Sequence, residues 1–296
     1  MTQAAPPFLH RPYDGTSQPF TVGLRPIGEE IWLEPDTLHG RHLEVKERLF
    51  ADSLDSVFRA EDNTQASQLE VLELVVEHLR RLHGNTHEFK TGRVRLIETG
   101  REISLEEPPP LLTASRLVQE DLVIMRPGPD GYRLVAASLC FPSSWRLSEK
   151  FGLSMTGIHE GVPGFNGGRM GQVVARLFEN LKAEQLLCRF NWSIYPDENL
   201  HHPLPERIPF KVSGETFARL FLRVERQTLR RLPQSGDILF TIKIHHDPLE
   251  VLSAQEDKSE IASGLRAQLL ELDADQLRYK GLVKARDEIA ATLARI

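Results

Sequence analysis

The chain has 296 residues, 40% hydrophobic and 26% charged, which is enough apolar material to bury a full core in one large domain or two small ones. Its 36 basic residues fall short of its 42 acidic ones, a formal charge of -6, so no overall electropositive field exists to attract nucleic acid or an anionic membrane. No basic cluster leads into an apolar run at the start, and no window approaches the roughly 18 consecutive apolar residues of a membrane span. The expected compartment is therefore the cytoplasm.

Pro6, Pro7, Pro12, Pro19, Pro26 and Pro35 punctuate residues 1–40, which are expected to run as an extended arm along the surface with Phe20, Val22, Leu24 and Ile27 able to pack. Two amphipathic helices follow, over 42–58 and over 65–82, the second with Leu69, Leu72, Val76 and Leu79 at spacings of three and four. The pattern is mixed from Glu88. Residues 132–141 read as a buried strand bounded by Gly131 and Pro142, residues 145–151 as a short helix stopped at Gly152, residues 170–184 as a longer helix and 186–195 as another strand. Between Arg219 and Ile244, Leu220, Leu222 and Val224 alternate with polar neighbours, as do Ile238, Phe240, Ile242 and Ile244. That is a β-hairpin, turned by Pro233, Ser235 and Gly236. Ile261, Leu265, Leu269, Leu272, Leu282 and Ile289 place one or two helices between 253 and 296.

The chemistry is expected in the middle of the chain, residues 119–245. His159 precedes the glycine-rich run of Gly161, Gly164, Gly167 and Gly168, which matches neither the dinucleotide nor the P-loop fingerprint. Considered alone, a single histidine is either a hydrogen-bonded structural residue or a ligand, and a neutral nitrogen beside an apolar Ile158 is also what a haem iron needs. On the first hairpin strand Arg223, Glu225 and Gln227 share one face. That face is either solvated or turned over a cofactor, where it would supply fixed charges and donors. Arg226, Arg230 and Arg231 are either exposed or paired with carboxylates. The tandem pairs His201-His202 and His245-His246 each split across two faces if extended, so neither pair chelates a metal by itself. Cys140 and Cys188, the only cysteines, lie in apolar runs as core thiols, and without CxxC spacing they make neither a zinc site, an iron–sulfur cluster nor a covalent haem attachment. No GxSxG elbow or HExxH is present.

Several strings recur in order: RPYDG at 11–15, QEDL at 119–122, ASLCFP at 137–142, Trp145 with Glu149 and Lys150, Ile158-His159 through Gly164, NWS at 191–193, and LRVERQTLRRLP at 222–233. Together, over roughly residues 8–250, the chain resembles the haem-dependent oxidative N-demethylase α-subunit family. The resemblance implies an α+β fold, a PAS-like antiparallel sheet with flanking helices. Residues 1–40 would then be the arm, 41–250 the haem-binding domain and 251–296 a C-terminal helical extension. It also implies a b-type haem with a histidine axial ligand, reductive activation of dioxygen, and oxidation of a small secondary methylamine with release of formaldehyde. Electrons would come from partner subunits carrying FMN and 2Fe-2S centres.

Carried over by position, His159 is the iron ligand, Arg223 and Glu225 the polar oxygen and amine side, and Asn191, Trp192 and Arg226 the residues that contact propionates or shape the pocket. Gly161 departs from the family pattern, which has a bulkier residue or proline there. A haem-binding or gas-sensing protein without turnover is the alternative reading, because PAS-like folds host both and a fold alone does not decide function.

Overall fold

The computed structural model describes residues 7–16, 18–204 and 217–296. Its first elements are β1 (Arg25–Pro26), α1 (His39–Val57), β2 (Phe58–Ala60) and α2 (Gln65–Leu82). Helix α2 has the expected bounds, but Leu69 faces solvent. The buried stripe is Gln68, Val71, Leu72, Val75, Val76 and Leu79, because two valines at 71 and 75 centre the apolar arc one position further round. Next come β3 (His87–Lys90), β4 (Arg93–Leu96) and β5 (Glu102–Ser104), a separate three-stranded antiparallel sheet. Its strands are too short to show a period of two. Gly92 and Gly100, both at positive φ, lie in the links between them.

After α3 (Pro110–Ser115) the chain enters the main sheet through β6 (Asp121–Gly128) and β7 (Gly131–Ser138). Three helices interrupt it: α4 (Leu147–Lys150), α5 (Met155–Ile158) and α6 (Arg169–Asn180). Strands β8 (Leu186–Tyr195), β9 (Phe221–Arg231) and β10 (Ile238–Pro248) complete it. The order is β1-β8-β9-β10-β6-β7-β2, with every neighbouring pair antiparallel. The expected hairpin is β9–β10. Gly236 supplies the positive φ of its turn, and the Glu70 carboxylate of α2 accepts from the Gln234 and Ser235 amides. Numbered from β6, the five central strands lie 2-1-5-4-3 with the helices inserted after the second. The fold is α+β as expected, and this order is consistent with a PAS-like sheet.

Strand alternation sorts the side chains between two faces. On one face Leu122, Ile124 and Leu239 pack with α2 and α3. Trp192, Ile194, Leu222 and Val224 of that face pack with α7 (Lys258–Glu271), α8 (Ala274–Lys280) and α9 (Arg286–Leu293), three C-terminal helices where one or two were expected. The arm does more than follow the surface: Phe8, Tyr13, Trp32 and Leu33 are buried in these cores. On the other face Val123, Met125, Leu229 and Ile242 meet Phe165, Val174 and Phe178 of the helical segment.

Enclosed histidines are expected to make the fold acid-sensitive. Burial lowers the pKa of His39 and His87 from 6.5 to about 4, and of His42, His78 and His246 to about 3. A depressed histidine pKa means that the unfolded chain binds the extra protons. Their contribution is thus complete above pH 6.5 and is lost as pH falls toward 4 and 3. Asp247, raised by burial to about 6, and Asp121, also raised by burial, act in the opposite sense. Because the depressed histidines, His83, His159 and His245 among them, outnumber the two raised carboxylates, the urea midpoint is expected to fall between pH 7 and pH 4.5. A midpoint flat over that range in equilibrium unfolding would show that these imidazoles are already charged in the native state.

Candidate functional site

Between the sheet and α4–α6 lies a cavity of about 630 Å³, within the roughly 300–1,000 Å³ typical of cofactor and small-molecule sites. Its helical wall is built by the glycine-rich segment. Gly164 and Gly167 take positive φ, and a Cβ on Gly168 would stand 2.3 Å from the Gly164 carbonyl oxygen, so only glycine lets this loop close onto the start of α6. His159 caps the end of α5 and lines the cavity. Its Nδ1–H donates to the Met155 carbonyl at 2.9 Å, and its ring stacks on Phe165 at 4.0 Å and 11°. A carbonyl only accepts, so Nδ1 carries the proton and Nε2 carries the lone pair. Burial lowers the pKa of this imidazole to about 4, which keeps it neutral at pH 7.

The sheet wall is polar on one side and apolar on the other. In the β8–β9 register Arg189 faces Gln227, Asn191 faces Glu225 and Ser193 faces Arg223. Glu225 Oε2 accepts from Gln227 Nε2 at 2.8 Å and from Asn191 Nδ2 at 3.5 Å. Arg189 donates from Nη2 to the Thr21 carbonyl at 3.2 Å. It has no ion-pair partner among the described residues, and burial pulls its pKa down, opposed by the charges of Glu225 and Tyr279. Val123, Met125, Phe240 and Ile242 form the apolar remainder.

Both ends of the chain reach this cavity. Phe20, Val22 and Leu24 of the arm line it, as do Tyr279 and Lys280 of α8. Lys280 Nζ donates to Asn191 Oδ1 at 3.3 Å and to the Trp192 carbonyl, and lies 5.2 Å from the centre of the Phe20 ring.

Of the expected site residues, His159, Asn191 and Glu225 line one cavity. Arg223 shares their face but is fully buried and lies outside the lining. Its Nε donates to Ser143 Oγ at 3.0 Å and its Nη2 to the Phe141 and Leu200 carbonyls at 2.8 and 3.1 Å, so it holds the segment 141–143 that lines the cavity. Trp192 and Arg226 require correction. Each is one position out of phase with the cavity-facing residues of its strand, so each projects from the opposite face. Trp192 Nε1 donates to Gln268 Oε1 at 2.8 Å, and Arg226 pairs with Glu34 at 3.1 Å and donates to the Ile31 and Trp32 carbonyls. Arg230 pairs with Glu29 at 3.0 Å, and Arg231 donates to the Phe178, Leu181 and Gly236 carbonyls.

Sequence reasoning missed Arg189 and Lys280. The first was detectable from the alternation of Arg189, Asn191 and Ser193 along one strand, the signal applied to β9 but not to β8. Lys280 had no local signal, because only tertiary packing brings α8 round to the cavity. Gly161 also lines the cavity, and a Cβ there would meet nothing within 4 Å.

No helix among the described residues is long and apolar enough to cross a membrane. A family model described as haem-dependent oxidative N-demethylase, alpha subunit-like, matches residues 23–290. The match extends through the C-terminal helices, beyond the limit of 250 expected from the recurring strings, and leaves the RPYDG string outside it. A search of curated proteins gave no match.

Proposed function

The chain belongs to the haem-dependent oxidative N-demethylase alpha subunit-like family, and on that premise we propose that it binds a b-type haem in the 630 Å³ cavity and oxidises a small secondary methylamine with dioxygen, releasing formaldehyde. The observation that carries the reading is the state of His159. Its Nδ1–H is committed to a backbone carbonyl, and its neutral Nε2 belongs to a residue of the cavity wall. Iron-ligating histidines are oriented and made more basic in this way.

The residues present fit the group. Val123, Met125, Val162, Phe240 and Ile242 offer an apolar wall to a flat macrocycle, and Arg189 and Lys280 offer cations to its propionates. Haem supplies the activation of dioxygen, drawing electrons from partner subunits with FMN and 2Fe-2S centres. Glu225 attracts the secondary ammonium and accepts a hydrogen bond from it. Gln227 and Asn191 fix the carboxylate through their donated hydrogen bonds and so orient the N-methyl group. The apolar wall keeps bulk water from the reacting carbon. Arg223 acts at one remove, by holding the segment 141–143.

Glu225→Gln tests the amine side. Loss of a charge-assisted hydrogen bond, about 1.5–3 kcal/mol, is expected to weaken use of the methylamine by roughly 10- to 100-fold while the Soret band stays unchanged. Formaldehyde yield at limiting amine, with chemically reduced protein and dioxygen, measures it. Equal yields from variant and wild type would remove Glu225 from the amine site. A wild type that shows a Soret band but forms no formaldehyde with any methylamine would instead favour a gas-binding protein.

A further inference from the structure

We propose that His10, Glu34 and His245 form a second metal site, for a divalent first-row transition ion of the zinc class, on the face of the sheet opposite the cavity. In β10 the side chains of Phe240 and Ile242 line the cavity, and His245 is out of phase with them. The arm brings two further ligands to it. His10 Nε2 lies 2.9 Å from Glu34 Oε2, His245 Nε2 lies 3.6 Å from the same oxygen, and the three ligand atoms all fall within 4.8 Å of one another. Donors about 2.0–2.2 Å from one ion stand roughly 3–4 Å apart, so small side-chain adjustments suffice to close the set.

Three further features support an ion over a simple ion pair. His245 Nε2 is buried and meets Glu34 Oε2 only at 3.6 Å, too long for a hydrogen bond, a cost that the His10–Glu34 pair leaves in place. Arg226 Nε takes the other carboxylate oxygen, Oε1, at 3.1 Å, which turns Oε2 toward the two imidazoles as an outer-shell donor does in metal sites. Lys243, two positions before His245 on the same face of β10, is paired with Asp36 at 2.8 Å. Side-chain exposures of 18, 22 and 8% for His10, Glu34 and His245 leave a route from solvent. Two imidazoles and one carboxylate suit zinc, cobalt or ferrous iron better than calcium or magnesium, and three protein ligands leave room for water. Such an ion would pin the arm at residues 10 and 34 to β10.

The inference is independent of haem binding, since the two sites share no residue, and His10 lies ahead of the family-matched segment. The test uses full-length haem-loaded protein, dialysed against chelator and then titrated with Zn²⁺ alone, with zinc and iron counted by elemental analysis. About one zinc per chain is expected beyond the haem iron, with a rise in Tm on zinc addition. His10→Ala and Glu34→Gln should each weaken zinc binding at least about tenfold and keep the Soret band. His159→Ala should lose the Soret band and keep the zinc. His10→Ala changes only a partly exposed arm residue, so it reads the site even if Glu34→Gln misfolds. Failure of wild type to retain zinc, or retention by His10→Ala with wild-type affinity, would overturn the proposal.

Discussion

His159→Ala is expected to abolish the Soret band of haem-reconstituted protein while leaving the fold intact. The ring's polar anchor is a bond to the Met155 carbonyl one helical turn back, and its packing is a stack on Phe165. Their loss costs on the order of 1–2 kcal/mol, far short of the stability of a chain with three apolar clusters. Free imidazole fits the space left by the deleted ring and should restore part of the spectrum. Acid titration gives a second readout. Iron and proton compete for Nε2, and burial holds the imidazole neutral until about pH 4, so loss of ligation on acidification should centre nearer 4 than 6.5. An alanine variant with an unaltered Soret band would eliminate His159 as ligand.

Arg223→Met is expected to give the largest loss of stability. The guanidinium is wholly enclosed, donates to Ser143, Phe141 and Leu200, lies 5.2 Å from the Tyr195 ring, and lowers the cost of the buried Asp121 carboxylate. Removing one member of a buried charged network costs about 3–5 kcal/mol, which in a chain of this size lowers Tm by roughly 6–20 °C. Arg223→Lys should recover only part of this, because an ammonium cannot reproduce the planar fork. Turnover per mole of folded, haem-loaded variant should fall much less than for Glu225→Gln. Calorimetry together with formaldehyde assays separates the cases: a methionine variant of wild-type Tm that makes no formaldehyde would place Arg223 at the substrate.

The elements legible in the sequence were those with strong periods. Helix α2 and strand β8 have the bounds read from apolar spacing, and the β9–β10 hairpin follows from alternation and a Pro-Ser-Gly turn. Strand parity also told which of Arg223, Glu225 and Gln227 share a face, and the same rule, had it been applied to Trp192 and Arg226, would have removed both from the cavity. The sheet β3–β5 was illegible because its longest strands have four residues. The reach of α8 to Asn191 was illegible for a different reason: a contact spanning 89 positions leaves no trace in local patterning. His10, Glu34 and His245 converge in the same hidden way, from two points on the arm and the last strand.

Phe20 and Lys280 meet on one wall of the pocket, although they come from the arm and from the C-terminal helices. Every strand of the sheet, and His159, lies at or before Pro248 in the chain, yet part of the pocket wall belongs to α8, which reaches Asn191 and Phe20 from beyond it. A chain ending at Pro248 would therefore hold the sheet and His159 but lack the part of the pocket wall that Tyr279 and Lys280 supply.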